Sequence, residues 1–200
     1  MDDINSLIRE ELIGEENILW SGQPEHKIFC KNDLKMIPFS LLWGGFAMFW
    51  EISVLAMGAP IVMPIVGALF VLIGLYAIIG RFFYKAYVQK RTYYYVTNKR
   101  VIVAKVSVRT KIEAEYINSL TCINKDIKSD GSGDVIFGNV GFLISMYANT
   151  GMESLAKGKA YGQIPLAFYD LARADEVSRI INEVRNGSYD TINKNNKTLI

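Results

Sequence analysis

Polar positions all but vanish between Met36 and Gly80: the 45 residues MIPFSLLWGGFAMFWEISVLAMGAPIVMPIVGALFVLIGLYAIIG hold a single charge, Glu51. An α-helix needs about 20 apolar residues to cross the hydrocarbon core of a bilayer. The run is too long for one span and suits two. Pro60 lacks the amide that a continuing helix requires, and with Gly58 and Ala59 it marks the break. The pattern predicts two transmembrane helices, at 36–57 and 61–80, joined so closely that they run antiparallel as a hairpin. A soluble alternative would have to bury two helices that are apolar all round, more than 200 residues can surround.

Elsewhere the periodicity is that of a water-facing fold. Ile4, Leu7, Ile8 and Leu12 recur at helical spacing, with Asp2 or Asp3 placed to cap and Glu10, Glu11, Glu15 and Glu16 opposite. This predicts a short acidic amphipathic helix that docks on the β domain or on another protein. Ile18-Leu19-Trp20 is a short extended piece that turns at Ser21-Gly22-Gln23-Pro24. After the hairpin the alternation has period two. Thr92–Thr97, Arg100–Arg109, Ile112–Tyr116, Thr121–Lys128, Asp134–Gly138 and Gln163–Phe168 read as strands, with turns at Asn98-Lys99, Thr110-Lys111 and 129–133. In the second of these, Ile102, Ala104, Val106 and Val108 share one face, and Lys105, Ser107 and Arg109 the other. The Gly-rich stretch 139–162 has no clear period. Asp175 opens a helix whose stripe is Val177, Ile180, Ile181 and Val184, and Asn186-Gly187 stops it. The expected organisation is an N-terminal segment 1–35, a membrane hairpin 36–80, a β domain 88–187 and a disordered tail 188–200. The fold class is a two-helix membrane hairpin plus a β-barrel or sandwich capped by a C-terminal helix.

Charge adds orientation. The net charge of +2 conceals an uneven distribution: residues 81–111 carry nine basic groups and no acidic one, whereas 1–35 carry four basic and eight acidic. Lys27, Lys31 and Lys35 precede the first span, Arg81, Lys85, Lys90 and Arg91 follow the second, and the hairpin tip is uncharged. Basic residues gather on the cytoplasmic side, so both termini are expected in the cytoplasm, with those four residues as juxtamembrane anchors. No basic n-region precedes the apolar run, which argues against a cleaved signal peptide.

Candidate chemistry is sparse. Cys30 and Cys122 are far apart and His26 stands alone, so neither a zinc spacing nor a Cys/His or Ser/His constellation forms. The loop Gly131-Ser132-Gly133 leads into a strand, whereas a P-loop opens a helix. Asp126, Asp130 and Asp134 are four apart, whereas an EF-hand loop places ligands two apart. Both stretches are turn chemistry, and no catalytic residue, metal or cofactor is expected. Glu51 admits two readings: a membrane-embedded functional charge, or a carboxylate near the tip, about 9 Å away at the helical rise. Gly44-Gly45 and Gly67/Gly74 would let helices approach closely, within the hairpin or between copies in a homo-oligomer. Nucleic acid is excluded, since the basic run follows a membrane anchor and Tyr93-Tyr94-Tyr95 alternates into a core.

Glu16-Asn17-Ile18-Leu19-Trp20-Ser21-Gly22-Gln23-Pro24, the membrane hairpin, Tyr95-Val96-Thr97-Asn98-Lys99-Arg100-Val101-Ile102 and Asp175-Glu176-Val177-Ser178-Arg179-Ile180-Ile181 occur in that order. Together they resemble bacterial membrane-anchored proteins with a pleckstrin-homology (PH)-like domain. The resemblance covers roughly 15–187 and implies a seven-strand, two-sheet barrel plugged by the helix, on the inner membrane. The segment 139–162 departs from it, being longer than a tight turn between strands. Three functions remain open. The first is a non-enzymatic scaffold that binds membrane or cytoplasmic proteins from the bilayer surface. The second is a sensor of anionic lipid headgroups through the juxtamembrane basic residues and the strand face of Lys105, Arg109 and Lys111. The third is an oligomeric conduit or transport accessory that uses Glu51.

Overall fold

The computed structural model describes residues 2–25, 27, 31–139, 141–152 and 165–187. His26, Cys30, the 188–200 tail, residues 153–162 and the expected strand start at Gln163 lie outside them. Along the chain run helix α1 (Asp2–Glu10), strand β1 (Ile18–Gly22), helix α2 (Lys31–Ala56) and helix α3 (Val62–Leu75). A π turn (Tyr76–Gly80) carries α3 without a break into helix α4 (Arg81–Gln89). Strands β2 (Thr92–Thr97), β3 (Arg100–Lys105), β4 (Lys111–Tyr116), β5 (Ile123–Ile127) and β6 (Gly133–Phe137) follow, then helix α5 (Phe142–Tyr147), strand β7 (Leu166–Leu171) and helix α6 (Ala174–Arg185). The chain divides into two compact units. One comprises Met1–Glu25, Lys90–Asn139 and Pro165–Ile200; the other comprises His26–Gln89 and Val140–Ile164.

The first unit holds two antiparallel sheets, ordered β1-β2-β3-β4 and β5-β6-β7. Strand β2 is nearly all β-branched and aromatic, and it is buried on both faces. Tyr94 and Val96 enter a core with Val101, Val103, Val135, Phe137 and Phe168, and α6 closes this core with Val177 and Ile181. Phe168 sits at its centre, stacked on Tyr94 at 4.6 Å and edge-on to Phe137 at 5.0 Å between ring centroids. On the opposite face, Tyr95, Ile102 and Ala104 are covered by Ile4 and Ile8 of α1. Residues four apart lie on one helix face, so this pair suffices to lay α1 on the sheet, and Tyr95 Oη donates to Asn5 Oδ1 at 2.9 Å.

The alternation expected through Arg109 stops at Val106, which still packs with Ile102 and Ala104 and whose amide donates to the Arg91 carbonyl at 2.8 Å. Lys105 pairs with Lys111 across the β3–β4 hairpin, and residues 107–110 leave the sheet as its tip. Val108, expected on the face of Ile102 and Ala104, is fully exposed.

The second unit is built on α2 and α3. Gly58 closes α2 with φ +66°, a left-handed conformation that glycine adopts without strain, and the chain returns after Pro60. Gly44 meets Gly74, where a Cβ would stand 2.9 Å from the Gly44 Cα. Glu51 meets Gly67 one seven-residue step away on both helices. These small residues therefore pack within the hairpin. Of the two spans long and apolar enough to cross a membrane, Asp33–Ala56 and Val62–Gln89, only 22% and 17% of the most apolar window is buried. The core helix of a soluble protein would be largely covered. Here Leu42, Phe49, Ile52, Leu69 and Leu72 point outward instead.

Candidate functional site

Both spans continue past their apolar stretches, and a polar node forms where they do. The buried side of the second span runs Gly67, Gly74 and Ala77, then Arg81, Lys85 and Gln89. A π turn closes its hydrogen bond one residue later than an α turn, and its position just before Arg81 helps set the phase that turns these polar residues inward. Arg81 Nη1 donates to Asp33 Oδ1 at 3.0 Å, and Lys85 Nζ donates to Asp33 Oδ2 at 3.4 Å. Arg81 and Asp33 are fully buried, and Lys85 nearly so. The Arg81 guanidinium also lies over the Phe82 ring, 4.5 Å from its centroid. Its Nε and Nη2 are buried and lack a hydrogen-bond partner among the described residues. The loop after α5 packs beside this node: Tyr76 Oη donates to the Gly151 carbonyl at 3.0 Å, and Met152 joins Met36 and Ala77 in a small apolar cluster.

Of the four expected juxtamembrane anchors, Arg81 and Lys85 are thus turned into the protein, while Lys90 and Arg91 are exposed where the chain leaves α4 for β2. Glu51 lies toward the hairpin tip, in the last turns of α2, half-buried, with Oε2 against Gly67 and without a partner among the described residues.

Lys105, Arg109 and Lys111 gather at the β3–β4 hairpin tip around Val108, all four exposed. Lys111 forms an ion pair with Glu113, so the tip is basic with one internal counter-charge.

Glu16, Thr97 and Arg100 form a cluster to which the sequence reading gave no role. Glu16 Oε1 accepts from Thr97 Oγ1 at 2.6 Å and Arg100 Nε at 3.0 Å. Its Oε2 accepts from Arg100 Nη2 at 2.7 Å and the Ile13 amide at 3.0 Å. Burial pushes this carboxyl upward, but the hydrogen bonds from Arg100, Thr97 and Ile13 and the Arg100 charge outweigh it and bring it down to about 2. Asn98 completes the clamp: its amide donates to the Asn17 carbonyl at 3.1 Å, and its Oδ1 accepts from the Asn17 amide at 3.0 Å. Two of the sequence stretches that carry the resemblance, Glu16–Pro24 and Tyr95–Ile102, are therefore the two halves of one structural joint. The joint fixes β1 against β2, and both oxygens of the Glu16 carboxylate are engaged within it.

The aspartates of the β5–β6 hairpin serve the backbone. Asp130 Oδ1 accepts from the Ser132 amide and hydroxyl at 3.0 and 2.7 Å, an Asx-type turn. Asp134 Oδ1 accepts from the Asp170 amide at 2.7 Å, and burial raises its carboxyl above the ordinary range. Among the described residues no group of three or more His, Cys, Asp or Glu is placed to hold a metal ion. An open groove of about 340 Å³ runs between β5 and α6, floored by Lys125, Ile127, Ser178 and Asn182. Comparison with family models, with curated proteins and with solved structures finds no match to this chain.

Proposed function

We propose that this chain is a non-enzymatic, membrane-anchored binding or scaffold protein of the PH-like kind, in which α2 and α3–α4 cross a bacterial inner membrane as a hairpin. Both termini lie in the cytoplasm, and the two-sheet unit is the interaction domain held at the bilayer. The observation that carries this reading is the outward face of the two long helices: large apolar side chains stand exposed along both spans while less than a quarter of each window is buried. Exposure of that extent costs little in lipid and a great deal in water. The resemblance of the clamp stretches and of α6 supports the PH-like assignment, and the surplus of basic residues flanking the spans supports the orientation. The fold does not choose among lipid, peptide and protein ligands. Carbonate washing of membrane vesicles is expected to leave the full chain in the pellet, and protease added to intact spheroplasts is expected to spare a C-terminal tag. Release by carbonate, or loss of the tag, contradicts the proposal.

A second reading, contact with an anionic membrane surface, is favoured by the hairpin tip, where three basic side chains surround an exposed valine. Basic residues near an anionic leaflet contribute about 1 kcal/mol each, and Val108 would enter the headgroup region. An environment-sensitive dye on Val108→Cys in proteoliposomes of the full chain tests it. The dye should shift to the blue in anionic but not neutral lipid, and the shift should disappear when Lys105, Arg109 and Lys111 are changed to Gln. Equal spectra in both lipids remove this reading.

A further inference from the structure

We infer that the Arg81–Asp33–Lys85 node is a binding site for a phosphate group, with the free edge of the Arg81 guanidinium as its receptor. Nη1 is occupied by Asp33, and what remains is Nε together with Nη2. These two N–H groups point the same way and form the side-on fork that meets two oxygens of a phosphate or carboxylate at once. Arg100 uses the same two atoms for Glu16 in the sheet unit. In Arg81 the pair is buried, with relative exposure of the side chain at 0%, and has no partner, so an occupant reaches it only as the groups covering it move aside. Cationic donors withdrawn from water and left unpaired bear the full loss of their hydration, so such a pair in a folded protein calls for an occupant.

Position selects phosphate over carboxylate. Arg81 is the first residue after the apolar stretch of the second helix, and Asp33 lies three residues before that of the first. In a membrane-spanning hairpin this is the level of the phospholipid phosphodiesters. The choice of phosphate, and its lipid form, rest on the membrane reading, whereas the capacity of the fork for an anion with paired oxygens does not.

The test uses the full chain purified in detergent. Native mass spectrometry and thermal unfolding are followed with added phosphatidylglycerol, with phosphate-free diacylglycerol of the same acyl chains, and with sodium phosphate against sodium chloride at equal ionic strength. Arg81→Lys keeps the charge toward Asp33 and removes the fork. Lys90→Gln, at an exposed neighbour, controls for general attraction. The wild type is expected to retain phosphatidylglycerol and to be stabilised by it. Arg81→Lys should weaken this about tenfold or more, the loss of a charge-assisted bidentate contact, and Lys90→Gln should leave it unchanged. Stabilisation by sodium phosphate identifies a free phosphate source, and stabilisation by phosphatidylglycerol alone identifies the lipid. Equal binding by wild type and Arg81→Lys, or diacylglycerol acting as well as phosphatidylglycerol, overturns the site. If Arg81→Lys does not fold, the wild-type comparison of the two lipids and the two salts decides. Carbonate extraction of the same protein is scored separately, so a failed anchor and a failed phosphate site are told apart.

Discussion

Replacing Glu16 by Gln removes one charge from a carboxylate that accepts four hydrogen bonds and keeps its shape. The native carboxyl titrates near 2 against an ordinary 4.5. At about 1.36 kcal/mol per pH unit, that difference corresponds to about 3 kcal/mol of stability, within the range seen when one partner of a buried pair is removed. The sign follows from linkage. Because the folded-state value is depressed, the contribution is complete above about pH 4.5 and is lost as pH falls through about 2. Glu16→Gln should therefore unfold about 3 kcal/mol more easily at pH 7 and converge on the wild type near pH 2. Urea unfolding of the full chain in detergent, followed by Trp20 fluorescence, measures this. Trp20 packs on Phe168 at 6.3 Å, and Trp43→Phe and Trp50→Phe silence the hairpin. A difference between the two proteins that stays constant from pH 7 to 2 would refute the assignment of the stabilisation to the Glu16 charge.

Three further outcomes are expected. Asp134→Asn keeps the acceptor for the Asp170 amide and removes a half-buried charge placed across from Asp126, so stability at pH 7 should rise by a few tenths to about 1 kcal/mol. Since burial raises the Asp134 carboxyl, the gain should shrink on acidification as the wild type protonates; a loss of stability in the same urea titration counts against it. Gly74→Leu drives a side chain into Gly44 and should cost the hairpin about 1–3 kcal/mol, read as a lower thermal midpoint in detergent, with no change meaning that the helices do not pack there. Glu51→Gln gives the unpartnered Oε2 position an amide and should leave the midpoint unchanged or raise it, by about 1 kcal/mol at most; a large drop would reveal an ionic partner for the carboxylate.

The hairpin was legible because composition alone dictates it: one charge in 45 residues and a Gly-Ala-Pro break leave few alternatives. The β2–β3 hairpin and α6 were legible because their periods of two and about 3.6 are undisturbed. The tip at 107–110 was misjudged because alternation in the sequence persists through Val108 after the pairing has ended at Val106, and pairing is invisible in a one-dimensional pattern. The Asp33–Arg81 pair spans 48 residues, and the local π turn that helps set the inward phase of Arg81 and Lys85 leaves no mark in composition. Their four-residue spacing, continued to Gln89, was the available signal, matched by an acid at the same end of the first helix. The clamp was hidden for a similar reason: Glu16 stood with the acids opposite the α1 stripe and Arg100 at the start of a strand, and only the pairing of β1 with β2 lays one beside the other. Helix α5, within 139–162, has no strong period of its own and too few residues to declare one.

The central claim is that the two long helices cross the bilayer and return. Thiol labelling of spheroplasts that express a cysteine-free chain tests it most directly, with single cysteines at Ala59, in the tip after α2, or at Asn118, exposed in the sheet unit. A membrane-impermeant maleimide should label Ala59→Cys in intact spheroplasts and Asn118→Cys only after the membrane is opened. Labelling of Asn118→Cys in intact spheroplasts, or of Ala59→Cys only after opening, would contradict the account.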